Sequence, residues 1–353
     1  MFILNIFNKK PFLIADIGVN FYDVAEKESI SDMDAAKLMV DEAILCGVDA
    51  VKFQSYKAEN IASRNSPAYW DLSKEPAESQ YELFKKFDKF GADEYRELSD
   101  YCRKNGMMFL STPFDFDSVD YLDELMDIYT VSSSDLTNIP FIKYIASKNK
   151  PILLSTGAAT LKEIKDAVKA IEDVSTVDIA VMHSVLSYPT AYEDANLLMI
   201  KDLVNHFPDY EIGYSHHTKP DENMVVLTTA YNYGATILEK HFTLDKTLSG
   251  NGHSHAMDPS DVHKFRRNVE FLSKINGSSN KQPLICESSL RRETRKSIVA
   301  KKDIKKGETI SSSHVTFKRP GTGISPGEID EVIGKTAKID ICEDTLIDFE
   351  MLE

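Results

Sequence analysis

Histidine is the residue type whose placement most clearly suggests chemistry in this sequence. The chain has nine histidines, and six of them lie within or shortly after the last three of the apolar runs described below: His183, His216, His217, His241, His253 and His255. Neutral imidazole is a common ligand for divalent transition metals. His217 and His241 each close an apolar run, which predicts a two-histidine metal site with open positions. The alternative is that these imidazoles only hydrogen-bond to loops, and His183, inside an apolar run, is expected to be structural.

Two lysines, Lys52 and Lys240, also lie within apolar runs. An unpaired ammonium is expensive to bury, so each lysine needs an anion nearby. A substrate phosphate or carboxylate would supply that anion, and hydroxyl groups would add donors around it. The candidate hydroxyls are those of Ser111, Thr112, Ser133, Ser155, Thr156 and Ser215. The alternative is a structural ion pair with Asp16, Asp135 or Glu239.

The same three carboxylates are the candidates for proton transfer. Asp16 and Asp135 lie at the ends of two apolar runs, a position suited to general acid and base chemistry or to binding a polyol. An aspartate there can instead cap the helix that follows. Glu239 is the candidate partner of a buried lysine, and it could also orient a metal ligand.

Eight short apolar runs carry most of these residues, and stretches with helical spacing follow them. Parallel strands that are buried on both faces have this appearance. Alternation of strand and helix favours right-handed βαβ units, and eight of them predict an α/β fold, the (β/α)8 barrel. The active site of such a barrel lies at the carboxyl ends of its strands. The runs are residues 12–18, 50–55, 107–114, 128–135, 151–157, 178–184, 211–217 and 236–242.

The chain is longer than a barrel requires. After Ile275 its composition changes to INGSSNKQP, which is typical of a linker, and short β-like runs broken by Gly and Pro follow. We therefore expect a barrel domain at 1–277, a linker at 278–293 and a small β-rich domain at 294–353. The long segment 56–89 after the second run is expected to cover part of the barrel mouth.

Composition excludes several classes of function. A net charge of −15 argues against a nucleic-acid binder, because such proteins neutralise phosphates with basic surface. The four cysteines have no metal-type spacing and are too few for a disulfide scaffold of this length, which favours a reducing, cytoplasmic setting. The opening MFILNIFNKK lacks the long apolar core of a signal peptide, and we expect no membrane span.

The ends of the runs carry a set of motifs in a specific order: IADIGVN (14–20), VKFQ (51–54), LSTPFD (110–115), SSSDLTNIP (132–140), LSTGA (154–158), MHSVLSYPT (182–190), GYSHHT (213–218) and LEKHFT (238–243). In this order they resemble the N-acetylneuraminate (sialic acid) synthase family, which includes legionaminate and pseudaminate synthases. RPGTGISP (319–326) is similar to the antifreeze-like (SAF) domain that follows the barrel in these enzymes. The resemblance covers nearly the whole chain and implies a TIM barrel followed by a SAF domain.

The resemblance also implies a reaction. Enzymes of this family condense phosphoenolpyruvate with the open-chain form of an N-acetylated hexose, related to N-acetylmannosamine or a diacetamido sugar. The products are a nine-carbon 2-keto acid and phosphate. A divalent metal assists as a Lewis acid: Mn²⁺ or Mg²⁺, with Co²⁺ also compatible with the two imidazoles.

Site residues follow from the same resemblance. His217 and His241 would hold the metal. The matched phosphoenolpyruvate-binding residues are Lys52, Thr112, Ser133 and Ser215, to which we add Lys240 as a second buried cation. The matched sugar-binding residues are Gln54, Tyr188 and Arg319, the last reaching from the other subunit of a domain-swapped homodimer. Asp16, Asp135 and Glu239 are the expected catalytic carboxylates.

Several positions depart from the family pattern. Asp16 and Asp135 stand where the family has Glu, and Thr130 replaces a phosphate-binding Lys. The other departures are Phe21 for His, Leu186 for Asn, His216 for Asp and Gly252 for a sugar-binding Asp. We hypothesise that a protonated His216 partly restores the cation lost at position 130.

These departures leave two functions open. The first, which we favour, is an active synthase with an altered acceptor sugar, in which Leu186, Gly252 and the stretch Asn251 to His255 reshape the pocket. The second is a sugar- or phosphate-binding protein, or a metal-dependent lyase, on the same barrel. The sequence names neither the acceptor sugar nor the metal.

Overall fold

The computed structural model of the chain describes residues 11–70, 72, 75–250 and 252–353. The opening MFILNIFNKK and Asn251, which entered the sequence predictions, lie outside these residues. The chain divides into two compact units, Met1–Ile275 and Asn276–Glu353. Within the described residues, no helix combines the length and the apolar character that crossing a bilayer requires.

The first unit confirms the predicted barrel. Its eight described strands form one sheet in the order β3-β2-β1-β8-β7-β6-β5-β4, and the neighbours that share a hydrogen-bonded register run parallel. The two end strands, β3 and β4, pack beside each other and close the barrel. The strands are β1 (Phe12–Gly18), β2 (Ala50–Ser55), β3 (Met108–Pro113), β4 (Tyr129–Val131), β5 (Ile152–Ser155), β6 (Ile179–Ser184), β7 (Glu211–His216) and β8 (Ile237–His241).

Helices follow the strands, and local signals set their ends. For example, the Ser31 side chain accepts from the Asp34 amide at the start of the second helix, and Gly47 ends that helix with φ 86°. The sequence did not predict the first helix, Phe21–Glu28. The helices of this unit are α1 (Phe21–Glu28), α2 (Asp32–Cys46), α3 (Ala58–Ile61), α4 (Gln80–Lys86), α5 (Ala92–Lys104), α6 (Phe116–Leu122), α7 (Ile139–Ala146), α8 (Leu161–Glu172), α9 (Leu198–His206), α10 (Val225–Asn232) and α11 (Pro259–Asn276).

β4 is shorter than the sequence predicted, and this moves one candidate carboxylate. The strand ends at Val131, and Ser133–Asp135 form a 3-10 turn. The Ser132 side chain accepts from the Ser134 amide, a local bond that competes with the strand ladder. Asp135 therefore lies in the loop after β4 rather than at the end of the strand.

Strand alternation divides the barrel residues into two layers. One set of alternate residues packs outward against the helices, including Leu13, Val51 and Leu238. The other set, including Ile14, Leu110 and Ile237, forms a separate cluster that fills the interior. Because successive side chains of a strand point to opposite faces, each polar residue near a strand end can be assigned to one layer.

The second unit has a core of its own, formed by residues such as Ile298, Ile310 and Ile347. Its strands β9 (Ser297–Ala300) and β10 (Val315–Lys318) pair antiparallel, and further isolated bridges join residues 304 to 341 and 299 to 346. The helices are α12 (Ser288–Thr294) and α13 (Ile329–Val332). The expected linker is not extended throughout, because it contains most of α12 and a 3-10 turn, Ile285–Glu287.

Candidate active site

Polar side chains occupy the interior layer at the carboxyl ends of the strands. They stand directly above the apolar interior cluster, on the alternate positions that continue from its members. This layer brings together most of the residues that the sequence singled out on the strands. They are Asp16 on β1, Lys52 and Gln54 on β2, Thr112 on β3, Ser215 on β7, and Glu239 and His241 on β8, with His217 directly after β7.

Lys52 is the centre of this layer. Its Nζ lies 3.1 Å from Asp16 Oδ2 and 2.7 Å from Glu239 Oε1. Ser215 donates to the same Oε1 of Glu239 at 2.9 Å. The ion pair that the sequence offered as an alternative for Lys52 is thus present, and it has two carboxylates for one ammonium. An ammonium shared by two carboxylates can exchange one of them for an anionic reactant.

The protonation of this group follows from burial and from the charges beside it. Burial opposes the charged form of Lys52, but Asp16 and Glu239 outweigh it and raise the pKa of the ammonium. Burial raises the pKa of Asp16, and the attraction of Lys52 offsets this only in part. Asp16 Oδ1 is buried and has no hydrogen-bond partner among the described residues. Asp16 is therefore able to accept or release a proton at a free oxygen.

His217 and His241 lie beside the carboxylates, with ring centroids 5.6 Å apart. His217 Nδ1 lies 2.8 Å from the Val185 carbonyl oxygen, which fixes Nδ1–H as a donor and leaves Nε2 as the free ligand nitrogen. Burial lowers the pKa of His217 to about 4 and holds the pKa of His241 well below its usual range. Both imidazoles are therefore neutral at pH 7, which is the form that ligates metals.

These two imidazoles fit a divalent ion that takes its remaining ligands from water and reactants. Within the described part of the chain, no three His, Cys, Asp or Glu side chains converge in a geometry that would coordinate an ion. The geometry therefore does not provide a closed structural metal site. It offers an open site at the ends of two neighbouring strands.

Two candidate sugar-binding residues lie at the same mouth. The ring of Tyr188, in the loop after β6, lies 4.4 Å from that of His217 and 6.1 Å from that of His241. A Cβ on Gly18 would be 3.3 Å from Gln54 Nε2 and 3.5 Å from Asp16 Oδ1, so Gln54 lies close to Asp16. Burial raises the pKa of Tyr188, and Tyr69, from the segment 56–89, adds to this rise.

Hydroxyl groups line the opposite side of the mouth. Thr112 Oγ1 and Thr130 Oγ1 are buried without a hydrogen-bond partner among the described residues. Ser133 Oγ accepts from the Gly157 amide at 2.9 Å. A Cβ on Gly157 would also lie 3.3 Å from Leu186 Cβ, so Leu186 lies beside Gly157 on this side. These unpartnered hydroxyls are free to donate to an anionic reactant.

Lys240 is not in this group, contrary to our expectation that it binds phosphoenolpyruvate. Its neighbours Glu239 and His241 face the interior, so Lys240 faces the helices, where Nζ donates to the Thr218 carbonyl oxygen at 2.7 Å. Burial holds its pKa well below the usual range and favours the neutral amine. Because side chains alternate between the two faces of a strand, Lys240 cannot share a face with Glu239 and His241.

The hypothesis of a protonated His216 is wrong for the same reason. His216 pairs in register with Lys240 and shares its outward layer, where Nε2 bonds to the Thr218 hydroxyl. Burial and Lys240 hold the pKa of His216 well below its usual range. The imidazole is neutral and does not replace the cation missing at position 130. His183 also faces outward and bonds to the Ala195 carbonyl oxygen at 3.0 Å, which confirms its structural role.

Asp135 is only loosely connected to this site. Its carboxylate accepts from Ser134 and Asn138 in its own turn, at 3.3 and 3.4 Å, and burial raises its pKa. Arg319 belongs to the second unit, where a cis peptide bond joins it to Pro320.

Gly252 has a steric explanation. A Cβ at this position would lie 1.9 Å from Oδ1 of Asn20, whose Nδ2 is held by the Phe242 carbonyl oxygen at 2.9 Å. An aspartate cannot replace Gly252 unless Asn20 moves. Phe21, another departure, is fully buried and packs against Tyr22, Phe53 and Phe90.

Sequence reasoning gave no individual role to His255. Its ring centroid lies 4.6 Å from that of His241 and 5.7 Å from that of Tyr188, inside the same group. No periodic pattern could have shown this, because His255 lies in a loop outside the regular elements.

A cleft of about 710 Å³ beside α1 carries no comparable chemistry. Both of its lysines already form ion pairs: Lys89 with Asp32 at 3.0 Å, and Lys86 with Glu75. We assign it no function.

Comparison with known proteins shows which family the whole chain resembles. The model of the NeuB family matches residues 39–281, and the SAF domain model matches residues 295–353. The chain is 36% identical over 344 residues to the N,N'-diacetyllegionaminic acid synthase of Campylobacter jejuni, covering 96% of this chain and 99% of that protein. It is 31% identical over 344 residues to the N-acetylneuraminate-9-phosphate synthase of Mus musculus, covering 97% and 92%.

A solved structure shares the fold as well. The N-acetylneuraminic acid (sialic acid) synthetase of Leptospira borgpetersenii, crystallised with citrate, superposes with a TM-score of 0.69 at 30% identity. The match covers 80% of this chain and 90% of that one.

Proposed function

Since this chain belongs to the NeuB family of phosphoenolpyruvate-condensing nonulosonic acid synthases, we propose that it joins phosphoenolpyruvate to an open-chain N-acetylated hexose. In this reaction C3 of phosphoenolpyruvate attacks the aldehyde carbon of the sugar, and water adds at C2. The tetrahedral species then loses phosphate by C–O cleavage, which gives a nine-carbon 2-keto acid. The relatives act on different sugars, so the acceptor of this chain is a separate question.

One observation carries the proposal: Lys52 with its two carboxylates lies in the same interior layer as the two neutral imidazoles. This layer places a cation for an anionic reactant beside a metal-binding pair and a free carboxylate oxygen. A barrel used only for binding would not need all three. Bringing a cation, an electrophile-activating site and a proton acceptor together is what a condensation of this kind requires.

We assign phosphoenolpyruvate to Lys52 and to the hydroxyls of Thr112, Ser133 and Ser215. Thr112 Oγ1 is buried and unpartnered, and Ser133 and Ser215 hydroxyls already hydrogen-bond at the mouth. Lys52 would transfer from a carboxylate to the phosphate or carboxylate of the reactant, since charge-assisted hydrogen bonds to these groups are strong. Lys240 has no part in this assignment.

The acceptor sugar is assigned to the side of Tyr188 and Gln54. His217 and His241 would hold a divalent ion there, in keeping with a family whose enzymes are generally metal-dependent. When bound, such an ion supplies Lewis-acid polarisation of the aldehyde oxygen. Mn²⁺ and Mg²⁺ are our first candidates, with Co²⁺ also compatible with two imidazoles.

Each of the three carboxylates has a different role in this proposal. Asp16, with a raised pKa and a free Oδ1, moves the proton that the water loses as it adds at C2 or that the aldehyde oxygen gains as C3 attacks. Glu239 positions Lys52 and Ser215 through its Oε1. Asp135, in the 3-10 turn after β4, is assigned to contact with the sugar.

Phosphate release tests the proposal. The purified chain is incubated with phosphoenolpyruvate, Mn²⁺ and either N-acetylmannosamine or a 2,4-diacetamido-2,4,6-trideoxyhexose, and inorganic phosphate is measured. We expect release that depends on both a sugar and a metal, and a 2-keto acid of the summed mass. His241→Ala is the negative control for contaminating phosphatase.

The alternative function predicts a different result. A sugar- or phosphate-binding protein would bind phosphoenolpyruvate but release no phosphate with any acceptor. A metal-dependent lyase would consume a 2-keto sugar acid without phosphoenolpyruvate. Either result would replace the synthase assignment.

Arg319 is assigned to the sugar of a second copy of the chain, within a domain-swapped homodimer. This assignment rests on the resemblance of RPGTGISP to the SAF domain and on the match of that domain to residues 295–353. It is tested below by subunit mixing.

A further inference from the structure

His255 is a buried imidazole whose two nitrogen atoms are both unused. Its side chain is 1% exposed. Neither Nδ1 nor Nε2 has a hydrogen-bond partner among the described residues. Buried polar atoms are nearly always hydrogen-bonded, so an exception at both nitrogens of one ring requires an explanation. Leaving such a group unpaired costs stability, which argues that something else occupies its hydrogen bonds in the working protein.

His253, two residues earlier, provides an internal comparison. It is equally buried, yet its Nδ1 lies 2.7 Å from the Thr243 hydroxyl and its Nε2 lies 3.0 Å from Asp23 Oδ2. Both nitrogens of His253 are therefore satisfied within the fold. The same short loop thus contains one imidazole that serves the structure and one that the structure leaves without partners.

The position of His255 indicates what its partner is. Its ring centroid lies 4.6 Å from that of His241, 6.4 Å from that of His217 and 5.7 Å from that of Tyr188. It is therefore on the side of the mouth that we assign to the acceptor sugar, next to the end where the aldehyde would be held. Tyr188 beside it is 42% exposed, so the neighbourhood of His255 reaches the solvent at the barrel mouth.

We propose that His255 is a specificity-determining residue that hydrogen-bonds a hydroxyl or acetamido group of the acceptor sugar. This inference rests on the proposed function and names one residue that reads its substrate. A neutral imidazole presents one donor and one acceptor, which matches a hydroxyl group. A third metal ligand is the competing role, but the three histidines do not converge in a coordinating geometry.

Two variants separate hydrogen bonding from packing. His255→Phe keeps a ring of similar size among its aromatic neighbours and removes both nitrogens. His255→Gln keeps a donor and an acceptor. His263→Phe, at an exposed position on α11, is the matched control for the same substitution elsewhere.

Kinetics and direct binding are both measured. The probes are N-acetylmannosamine and a 2,4-diacetamido-2,4,6-trideoxyhexose, with binding followed by saturation-transfer NMR in the presence of phosphoenolpyruvate. We expect His255→Phe to weaken sugar binding and raise the sugar KM at least about tenfold, the effect of losing one buried hydrogen bond. The KM for phosphoenolpyruvate should stay within about twofold, and His255→Gln should recover part of the loss.

Several results would overturn the inference. An unchanged sugar affinity in His255→Phe would do so. A tenfold loss of Mn²⁺ affinity in the same variant, measured by electron paramagnetic resonance, would also overturn it, because His255 would then be a metal ligand. Absence of binding by either sugar to the unmodified chain would overturn it together with the proposed function. Sugar binding without phosphate release would remove only the synthase function, and weaker binding by His255→Phe would still support the role of His255.

Discussion

Lys52 and Lys240 show how strongly the role of one residue depends on the face it occupies. Both are buried lysines on neighbouring parts of the barrel, 5% and 1% exposed. Lys52 faces the interior, where two carboxylates hold it as an ammonium, whereas Lys240 faces the helices and bonds to a backbone carbonyl. Buried ionisable groups with perturbed pKa values are candidates for function, but here only one of the two lies where a reactant can bind.

The first prediction concerns Lys52→Met. Removing the ammonium leaves Asp16 and Glu239 facing each other without a cation, so we expect the free energy of unfolding to fall by about 3–5 kcal/mol. We expect kcat/KM for phosphoenolpyruvate to fall at least about 100-fold, because a contact that positions the reactant is lost. Urea unfolding and phosphate release measure the two effects.

Lys240→Met is the matched control for this change. It removes a buried lysine from the outward layer, so it should lower stability but leave the KM for phosphoenolpyruvate within about twofold. A tenfold rise of this KM in Lys240→Met would contradict the assignment of Lys240 to the outward layer.

At the scale of elements, the loops after β1 and β8 pack closely against each other. Asn20, between β1 and α1, bonds to the backbone of Phe242 directly after β8. The loop that carries Gly252 passes so close to the Asn20 amide that no side chain fits at position 252. His253 then ties the same loop to Asp23 of α1. This junction holds His255 in place beside His217 and His241, and it accounts physically for the absence of an aspartate at position 252.

A second prediction tests this junction. Gly252→Ala should lower the free energy of unfolding by about 1–3 kcal/mol, the usual effect of inserting an atom into a packed site. In an Asn20→Ala background the same substitution should cost less than half as much, because the clashing amide is gone. Urea unfolding of the four proteins in this cycle gives the coupling. Additive costs would show that Gly252 and Asn20 do not interact in this way.

At the scale of the whole molecule, five of the described histidines have pKa values that burial lowers: His183, His216, His217, His241 and His255. A histidine with a lowered pKa in the folded state adds stability that is fully present above its unfolded value of about 6.5. That stability is lost as the pH falls from there through the folded pKa, which for His217 is about 4.

The third prediction follows from this sign. In the presence of EDTA, the free energy of unfolding should fall between pH 7 and pH 5, by up to about 1.4 kcal/mol per pH unit for each buried imidazole that stays neutral. His183→Gln removes a buried imidazole that is not part of the proposed metal site, so it should reduce the slope of the unfolding free energy against pH. His263→Gln, at an exposed position, should leave this slope unchanged. A stability that is constant from pH 7 to pH 5 would show that these imidazoles are not buried as neutral groups.

The fourth prediction concerns assembly. If Arg319 acts on the barrel of a second copy, Arg319→Ala and His241→Ala are inactive alone but complement each other after dissociation and reassociation. Random reassociation makes about half of the dimers mixed, and one of the two sites in each mixed dimer is intact. We therefore expect up to about 25% of the unmodified activity. Light scattering establishes the dimer, and phosphate release measures the recovery. A dimer whose mixture stays as inactive as its components would show that Arg319 does not act between subunits.

The sequence by itself determined the barrel and much of its site. Apolar runs separated by helical stretches fix a parallel sheet, because buried strands need apolar side chains on both faces. The strand bounds follow closely, as for β1 and β2, whose ends are those of the predicted runs. Lys52, Glu239 and His241 could be placed at one mouth because the carboxyl ends of parallel strands meet there. The order of the motifs was enough to indicate the family, which the comparisons confirm.

Only the tertiary structure decided which polar residues meet. The sequence analysis placed Lys240 and His216 at the site. Strand alternation separates Lys240 from Glu239 and His241, but only the packed barrel shows that the set with Lys240 and His216 faces outward. Asp135 left its strand because local hydrogen bonds to Ser132 outweighed the ladder. His255 and Gly252 lie in a loop with no periodic pattern, so their surroundings depend on contacts with residues more than 200 positions away or on other strands. Periodicity fixes where elements run, whereas long-range packing fixes which side chains share a site.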